Sequence, residues 1–260
     1  MKAKKSYGQH FLTNEHIAEQ IANSLTTTDS VKYVVEVGPG KGMLTKYLLP
    51  KPTPLFAVEA DRDMVEHLQR HFPKLKPRIV EEDFLKVDLK HLTKNEPFAI
   101  IGNFPYNISS QILFKMLDCR ELVPELVGMF QLEVAERVVA KSGSKTYGII
   151  SVLVQAFYDG ELLLGVPPNS FSPPPKVQSA VIRLLRRSET ELGCDHALFI
   201  QVVKQAFGQR RKMLRNTMKF FLANDPILES EYFTKRPEQL DVADFVRLTN
   251  LISKNRESPA

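Results

Sequence analysis

Hydrophobic and polar positions repeat in alternating blocks along residues 31–186. Apolar residues at helical spacing predict helices at 43–49, 62–72, 109–117 and 133–141. Short apolar runs, most of them rich in β-branched residues, predict buried strands at 33–38, 55–60, 77–84, 98–103, 125–131, 148–166 and 179–186. This alternation predicts a Rossmann-like, doubly wound α/β sheet with helices on both faces.

The pattern changes after Arg187. Residues 188–195 are polar and fit a linker. The apolar side chains of 199–221 then recur at a spacing that places them near one face of a helix. A further turn and helix are predicted at 233–252. The sequence therefore predicts a larger α/β domain at 1–187 and a small all-α domain at 188–260.

The composition is typical of a soluble globular protein. Of the 260 residues, 43% are hydrophobic and 25% are charged, and no run approaches the ~18 apolar residues of a membrane span. The basic N-terminus precedes no long apolar core, so a secretory signal is not expected. Cys119 and Cys194 lie far apart without a histidine at ligand spacing. This favours two ordinary thiols in a reducing cytoplasm over a disulfide or a metal site.

Basic residues cluster in two segments of a chain whose formal net charge is +5. Phosphate backbones attract such clusters through the release of counterions, but a solvated helix face has the same composition, and both interpretations stay open. One cluster is at the N-terminus, and the other occupies residues 204–219, which contain no acid. The cationic residues are Lys2, Lys4 and Lys5 in the first, and Lys204, Arg210, Arg211, Lys212, Arg215 and Lys219 in the second.

A glycine-rich loop, "EVGPGKG" at 36–42, follows the first predicted strand. Gly38, Gly40 and Gly42 would let the backbone pass close to a ligand. The following helix would favour a negative group at its N-terminus. The spacing differs from the G-x-G-x-x-G of dinucleotide sites, and a tight strand-to-helix turn is the alternative interpretation.

Polar side chains stand at the carboxyl ends of the next three predicted strands. Glu59 can accept both ribose hydroxyls of a nucleoside, and Asp83 can accept from an adenine amino group, with Phe84 against the ring. Asn103 ends the fourth strand. Open α/β sheets bind ligands at the carboxyl ends of their strands. The ordered set predicts a site for an adenosine cofactor that has no pyrophosphate.

The segment "NFPYNIS" at 103–109 suggests chemistry on adenine. The amide oxygen of Asn103 and a backbone carbonyl near Phe104 could accept the two hydrogens of N6, which would aim its lone pair at a methyl group. Pro105 fixes the shape of the loop, and Tyr106 offers a face for an extruded base. We interpret this segment as the methyl-acceptor site of an adenine N6-methyltransferase.

These motifs together resemble the KsgA-type small-subunit (16S) ribosomal RNA adenine N6,N6-dimethyltransferases. The resemblance runs nearly end to end through "GQHFL" (8–12), "EVGPGKGMLT" (36–45), "EED" (81–83), "NFPYNIS" (103–109), "FSPPPKVQSAV" (171–181) and "FGQRRKMLRN" (207–216). It implies a class I S-adenosylmethionine-dependent methyltransferase sheet. The family often has Asn where His10 stands and Leu where Phe104 stands.

The resemblance also implies roles for individual residues. Asn103, Pro105 and Tyr106 are the implied reaction residues, and Phe104, Tyr106, Phe171 and Lys176 are implied near the target base or RNA. Apart from the resemblance, the charge cluster makes Arg210, Arg211, Lys212 and Arg215 the candidates for contacts to RNA phosphates, with a structural packing role as the alternative, above all for Arg210. The implied S-adenosylmethionine contacts are His10, Leu12, Gly38, Gly40, Glu59, Asp83 and Asn103.

The implied reaction is dimethylation of N6 on two adjacent adenosines in the hairpin near the 3′ end of 16S rRNA, within an immature small subunit. We expect a cytoplasmic monomer that needs no metal. One alternative is an Erm-like methyltransferase of 23S rRNA, although "FSPPPKVQSAV" and "FGQRRKML" favour the small-subunit type. Another is a ribosome-assembly or RNA-binding factor that uses the fold mainly as a scaffold. A DNA adenine methyltransferase is less favoured, because no target-recognition region of the usual size is evident.

Overall fold

The computed structural model describes residues 9–189, 191–223 and 225–257, so Lys2, Lys4 and Lys5 lie outside the described residues. The chain divides into two compact units. The first comprises the residues up to Ala135 together with Asp159–Arg186, and the second comprises Glu136–Tyr158 together with the residues from Arg187 onward. None of the helices in the described ranges combines the length and apolar character needed to cross a membrane.

The alternating pattern predicted an α/β sheet, and the first unit contains one, with seven strands in the order β4-β3-β2-β5-β6-β9-β7. A separate antiparallel pair, β1 with β8, joins Leu12 to Phe171. The strands are β1 (Phe11–Leu12), β2 (Tyr33–Val37), β3 (Leu55–Glu59), β4 (Ile79–Glu81), β5 (Phe98–Asn103), β6 (Glu125–Gln131), β7 (Tyr158–Val166), β8 (Phe171–Ser172) and β9 (Ser179–Arg186).

Helices connect the strands and make up most of the second unit. The long helix α3 begins at the cap Asp61, whose side chain accepts from the Asp63 amide. The helices are α1 (Glu15–Asn23), α2 (Thr45–Leu48), α3 (Arg62–His71), α4 (Leu89–Leu92), α5 (Ser109–Asp118), α6 (Leu132–Val138), α7 (Ile149–Gln155), α8 (His196–Gly208), α9 (Leu214–Thr217), α10 (Lys219–Leu222) and α11 (Val242–Glu257).

The strands β4, β3, β2, β5 and β6 run parallel. Their carboxyl ends therefore meet at one edge of the sheet, where the ends of β3 and β5 place Glu59 and Asn103. Strand β9 is antiparallel to β6, so its first residue, Ser179, pairs with the last residue of β6, Gln131. This reversal brings the start of β9 to the same edge.

Two segments form a different kind of secondary structure from the one that the sequence predicted. Residues 148–166 do not form one strand, because Ile149–Gln155 is a helix and only Tyr158–Val166 is a strand. The residues of this helix from Ile150 to Val154 are all buried. Such a short apolar run has no polar face, so its periodicity cannot distinguish a helix from a strand.

The basic segment is the second difference. Arg210–Lys212 lie in the turn between α8 and α9, whereas the sequence predicted a basic helix there. The helix α8 ends at Gly208, and Gln209 follows it with a non-helical φ of −131° and ψ of 58°. A glycine at the end of a helix is a common stop signal, and here it separates the apolar helix from the basic turn.

The ring of Phe104 packs closely over two paired glycines. Gly102 of β5 stands opposite Gly128 of β6 in the sheet. A Cβ atom at Gly102 would lie 2.8 Å from the Phe104 ring, and one at Gly128 would lie 2.1 Å from it. The ring is 1% exposed and meets Phe130 edge-on, with ring centroids 5.1 Å apart. The two glycines thus make the space that holds the loop after β5 against the sheet.

We predict that Gly128→Ala displaces Phe104 and lowers the free energy of unfolding by about 1–3 kcal/mol, the usual cost of overpacking a core. Denaturant unfolding measures the change. The matched control is Gly165→Ala in β7, because a Cβ atom there would meet nothing within 4 Å. Equal losses in the two variants would contradict the proposed packing.

Candidate active site

A cavity of about 540 Å³ opens at the carboxyl edge of the sheet in the first unit. The loops after β2, β3, β4 and β5 line it, together with residues 9–12 of the N-terminal segment. The structure therefore brings together most of the predicted site residues. Those in its lining are His10, Leu12, Gly38, Gly40, Glu59, Asp83, Phe84, Asn103, Phe104, Pro105 and Tyr106.

The glycine loop adopts a backbone that side chains disfavour. Gly38, Gly40 and Gly42 have φ values of 65°, 54° and 82°. A Cβ atom at Gly40 would lie 3.1 Å from the Phe11 ring, and one at Gly42 would lie 2.3 Å from the Phe72 ring. Gly38 and Gly40 therefore keep the floor of the cavity open, whereas Gly42 makes room for packing behind it.

Glu59 is held by the backbone around it. One carboxylate oxygen accepts from the Gly40 amide at 3.0 Å, and the other accepts from the Asp61 amide at 2.9 Å. Burial raises the pKa of this carboxyl, while the two amides act in the opposite direction. Each oxygen keeps a second lone pair, so the group can still accept from the two hydroxyls of a ribose.

Asp83 presents a carboxylate at the end of the loop after β4. Its Oδ1 accepts from the Leu85 amide at 3.0 Å, which fixes the side chain and leaves Oδ2 for a donor such as an amino group. Phe84 is 3% exposed, and the Lys115 ammonium lies 5.6 Å from the centre of its ring. Both Asp83 and Phe84 line the cavity, and their recognition of an adenine edge and face stays a prediction.

The amide of Asn103 is oriented by the N-terminal segment. Its nitrogen donates to the backbone carbonyl of His10 at 2.9 Å. The amide oxygen is therefore the end of the side chain that can accept a hydrogen from a ligand. Phe104 beside it has a buried ring, so any contact from this residue to a substrate falls to its backbone carbonyl.

Tyr106 stacks on His10. The ring centroids are 5.4 Å apart with an interplanar angle of 25°, and His10 Nδ1 lies 2.9 Å from the carbonyl of Pro173. Burial raises the pKa of the Tyr106 hydroxyl, so it stays protonated at neutral pH. His10 thus contacts the loop after β5 in two ways, since its ring stacks on Tyr106 and its carbonyl accepts from Asn103.

The whole arrangement suits a nucleoside that carries a cationic centre. Hydrogen-bond acceptors on Glu59, Asp83 and Asn103 surround a cavity floored by glycine backbone. Within the described residues, no group of three or more His, Cys, Asp or Glu side chains could hold a metal ion. These residues fit the predicted S-adenosylmethionine, and their individual roles toward it stay predictions.

Comparisons with known proteins agree with this geometry. The family model described as ribosomal RNA adenine dimethylase matches residues 1–254. The chain belongs to this family. It is 53% identical to the ribosomal RNA small subunit methyltransferase A of Flavobacterium johnsoniae, over 97% of this chain and 96% of the relative. It is 52% identical to the protein of the same name from Cytophaga hutchinsonii, over 97% and 98%.

Solved structures confirm the predicted methyltransferase fold. A dimethyladenosine transferase from Plasmodium falciparum is similar with a TM-score of 0.80 and 26% identity, covering 95% of this chain and 98% of that one. The 23S rRNA methyltransferase ErmE is similar with a TM-score of 0.67 and 24% identity, over 92% and 99%. The second likeness shows the fold alone.

Two residues implied near the substrate lie outside the cavity lining. Phe171 is 4% exposed and packs in the hydrophobic core beside Leu12 and Val181. Lys176 is exposed on the loop before β9. Their contacts to the base and to RNA stay predictions, and the burial of Phe171 favours a structural role for its ring.

The predicted RNA-binding cations lie in the second unit, in two kinds of environment. Arg210 donates to the Ser144 carbonyl at 3.3 Å and lies 3.9 Å from Glu238, and Arg215 pairs with Glu229 at 3.2 Å. Arg211 and Lys212 are exposed on the basic turn. The first two therefore have structural partners, and the last two are the better candidates for phosphate contacts.

Glu36 is a site residue that sequence reasoning missed. It lines the cavity from within β2, is 1% exposed and accepts from the Thr45 hydroxyl at 2.7 Å. Burial raises its pKa to about 8, and the neighbouring Glu59 adds to the shift. An acid in the otherwise apolar run "YVVEV" is the signal that could have identified it.

We predict that Glu36 makes the free energy of unfolding depend on pH, and that Glu36→Gln removes this contribution. An ordinary Glu loses its proton near 4.5, whereas folded Glu36 keeps it to about 8. Folding therefore binds a proton in this window, and the free energy of unfolding falls as pH rises, by up to about 1.4 kcal/mol per pH unit. Glu36→Gln should lack this component.

Denaturant unfolding between about pH 5 and pH 8 measures the difference between wild type and variant. Glu96→Gln, which removes an exposed carboxylate, is the control and should follow wild type. If the Glu36→Gln and wild-type curves stay parallel, the carboxyl of Glu36 does not hold its proton in the folded protein.

Proposed function

We propose that this protein transfers methyl groups from S-adenosylmethionine to N6 of two adjacent adenosines in the hairpin near the 3′ end of 16S rRNA, during assembly of the small subunit. One observation carries the proposal. The oriented amide of Asn103 and the ring of Tyr106 share a single cavity with Glu59 and Asp83. A methyl donor and a target adenine can therefore meet there.

The chain's own residues contribute positioning to this reaction. S-adenosylmethionine supplies an activated methyl group, because its sulfonium is a good leaving group. Glu59 and Asp83 hold the nucleoside, and Gly38 and Gly40 let the backbone approach it. No strong base is required, since orientation alone supplies a large share of such a rate enhancement.

The target nitrogen needs a change of shape before it can react. The lone pair of adenine N6 is delocalised into the ring, which makes the amine a poor nucleophile. The Asn103 amide oxygen and the Phe104 carbonyl accept its two hydrogens and favour a tetrahedral nitrogen. Tyr106 stacks on the extruded base, and Pro105 keeps the loop rigid.

The choice of the small subunit rests on the relatives. The proteins that are 53% and 52% identical over nearly the whole chain are named as small-subunit methyltransferases. The likeness to the 23S enzyme lies at 24% identity. We therefore place the 23S alternative second, and we expect the protein to work as a monomer in the cytoplasm, where small subunits are assembled.

We predict that Asn103→Ala slows methylation on the order of 100-fold or more and strongly lowers the dimethyladenosine content of 16S rRNA, because the oriented acceptor is removed. Mass spectrometry of rRNA from cells that carry only the variant measures it. Asn216→Ala, an exposed amide in the second unit, is the control. Dimethyladenosine that persists in cells lacking the protein altogether would refute the assignment.

The same Asn103→Ala variant tests the assembly alternative. If it restores the maturation of small subunits without methylating them, the protein has a binding role that is separable from catalysis. An in vitro assay that offers immature small subunits and protein-free 23S rRNA distinguishes the two RNA targets.

We predict that neutralising Arg211 and Lys212 together weakens binding to small subunits and flattens its salt dependence, by about one unit of slope for each phosphate that the protein no longer neutralises. Titration across salt concentrations measures the slope, and calorimetry should show unchanged S-adenosylmethionine binding. Neutralising Lys74 and Lys76, which are exposed on the first unit, removes the same charge as a control. An unchanged slope would assign Arg211 and Lys212 to structure.

A further inference from the structure

The hydroxyl of Tyr106 has a partner that the proposed reaction does not use. Its oxygen lies 2.6 Å from the Ser179 hydroxyl oxygen. Ser179 is 1% exposed and begins β9. Because β9 lies beyond β6 in the strand order, this hydrogen bond ties the loop after β5 to a strand two positions away in the sheet.

The bond fixes the far end of the Tyr106 ring. The near end is held by the loop, whose neighbouring residue Phe104 is buried. His10 stacks against the ring with an interplanar angle of 25°. A base that stacks on Tyr106 takes its position from this ring, and the Ser179 hydroxyl restrains where the ring lies from outside the cavity lining.

The two methyl transfers place different demands on this ring. Each transfer forms one N–C bond and breaks the methyl–sulfur bond, whose electron pair stays on sulfur, while N6 loses one proton to water. In the first transfer N6 has two hydrogens for the Asn103 oxygen and the Phe104 carbonyl. In the second it has only one, so only one of these two hydrogen bonds can form.

We propose that Ser179 is a positioning residue for the target adenine, and that it matters more for the second methyl transfer than for the first. With one hydrogen bond fewer, the orientation of the monomethylated base depends more on its stacking against Tyr106. The inference rests on the proposed function and adds to it a residue that governs how far the reaction proceeds.

The experiment is a double-mutant cycle with Ser179→Ala, Tyr106→Phe and the double variant. Single-turnover methylation of immature small subunits is followed by mass spectrometry of mono- and dimethyladenosine. We expect the second transfer to slow by roughly tenfold, the first by less than about threefold, and monomethyladenosine to accumulate. The double variant should match the single variants, because all three lack the same hydrogen bond.

Two further measurements separate positioning from loss of structure. Calorimetry should show unchanged S-adenosylmethionine binding in each variant. Ser151→Ala removes another buried hydroxyl, hydrogen-bonded to the Arg137 carbonyl in the second unit, and should give the wild-type product ratio. If Ser179→Ala does not fold, Tyr106→Phe tests the bond alone, since it keeps the ring and removes only the hydroxyl.

Equal slowing of the two transfers would overturn the inference, and so would effects of the single variants that multiply in the double variant. A wild-type protein that forms no dimethyladenosine on small subunits would instead refute the proposed function. The two failures are therefore distinguishable.

Discussion

The packing of Phe104 over Gly102 and Gly128 is the constraint on which the candidate site depends. Any side chain at these glycines would occupy the space of the ring. The ring lies directly after the end of β5 at Asn103, so its packing holds the start of the loop that carries Tyr106. The two aromatic residues that flank Pro105 therefore differ, since the ring of Phe104 is buried and anchors the loop, whereas that of Tyr106 is partly exposed.

Burial and hydrogen bonding give two carboxyl groups of the cavity different protonation states. Glu36 and Glu59 lie in the same cavity, and the charge of Glu59 adds to the cost of ionising the buried Glu36. Only Glu59 has two backbone amides as partners, whereas Glu36 has the Thr45 hydroxyl. The proton therefore belongs on Glu36, and Glu59 is the group left as a hydrogen-bond acceptor for a ligand.

Local sequence patterns were sufficient to predict several strands and the carboxylates at their ends. The strands 125–131 and 179–186 were predicted at their observed limits, because their apolar runs end in polar residues and turns. Glu59 at the end of β3 and Asp83 after β4 line the same cavity, as predicted, because the carboxyl ends of parallel strands meet at one edge of the sheet. The helix at Ile149–Gln155 was missed because it is buried all round, and its pattern carries no period.

The contacts that could not be predicted join residues far apart in the chain. The hydrogen bond from Asn103 to the His10 carbonyl and that between Tyr106 and Ser179 join residues 93 and 73 positions apart, and no local pattern encodes them. These contacts are nevertheless what orients the motif. The residues of the segment 103–106 supply the acceptor, the rigid turn and the ring, and distant parts of the same unit hold them in place.

A motif that is oriented by distant residues suits a reaction whose leaving group is already activated. The protein need not supply a strong base or a metal ligand, so its contribution to the rate has to come from geometry. The buried ring of Phe104, the His10 carbonyl and the buried Ser179 hydroxyl hold the site residues in place before the base binds. Little free energy is then spent on rearranging them during the reaction. The same arrangement can also serve twice, because none of these groups is consumed when the first methyl is transferred.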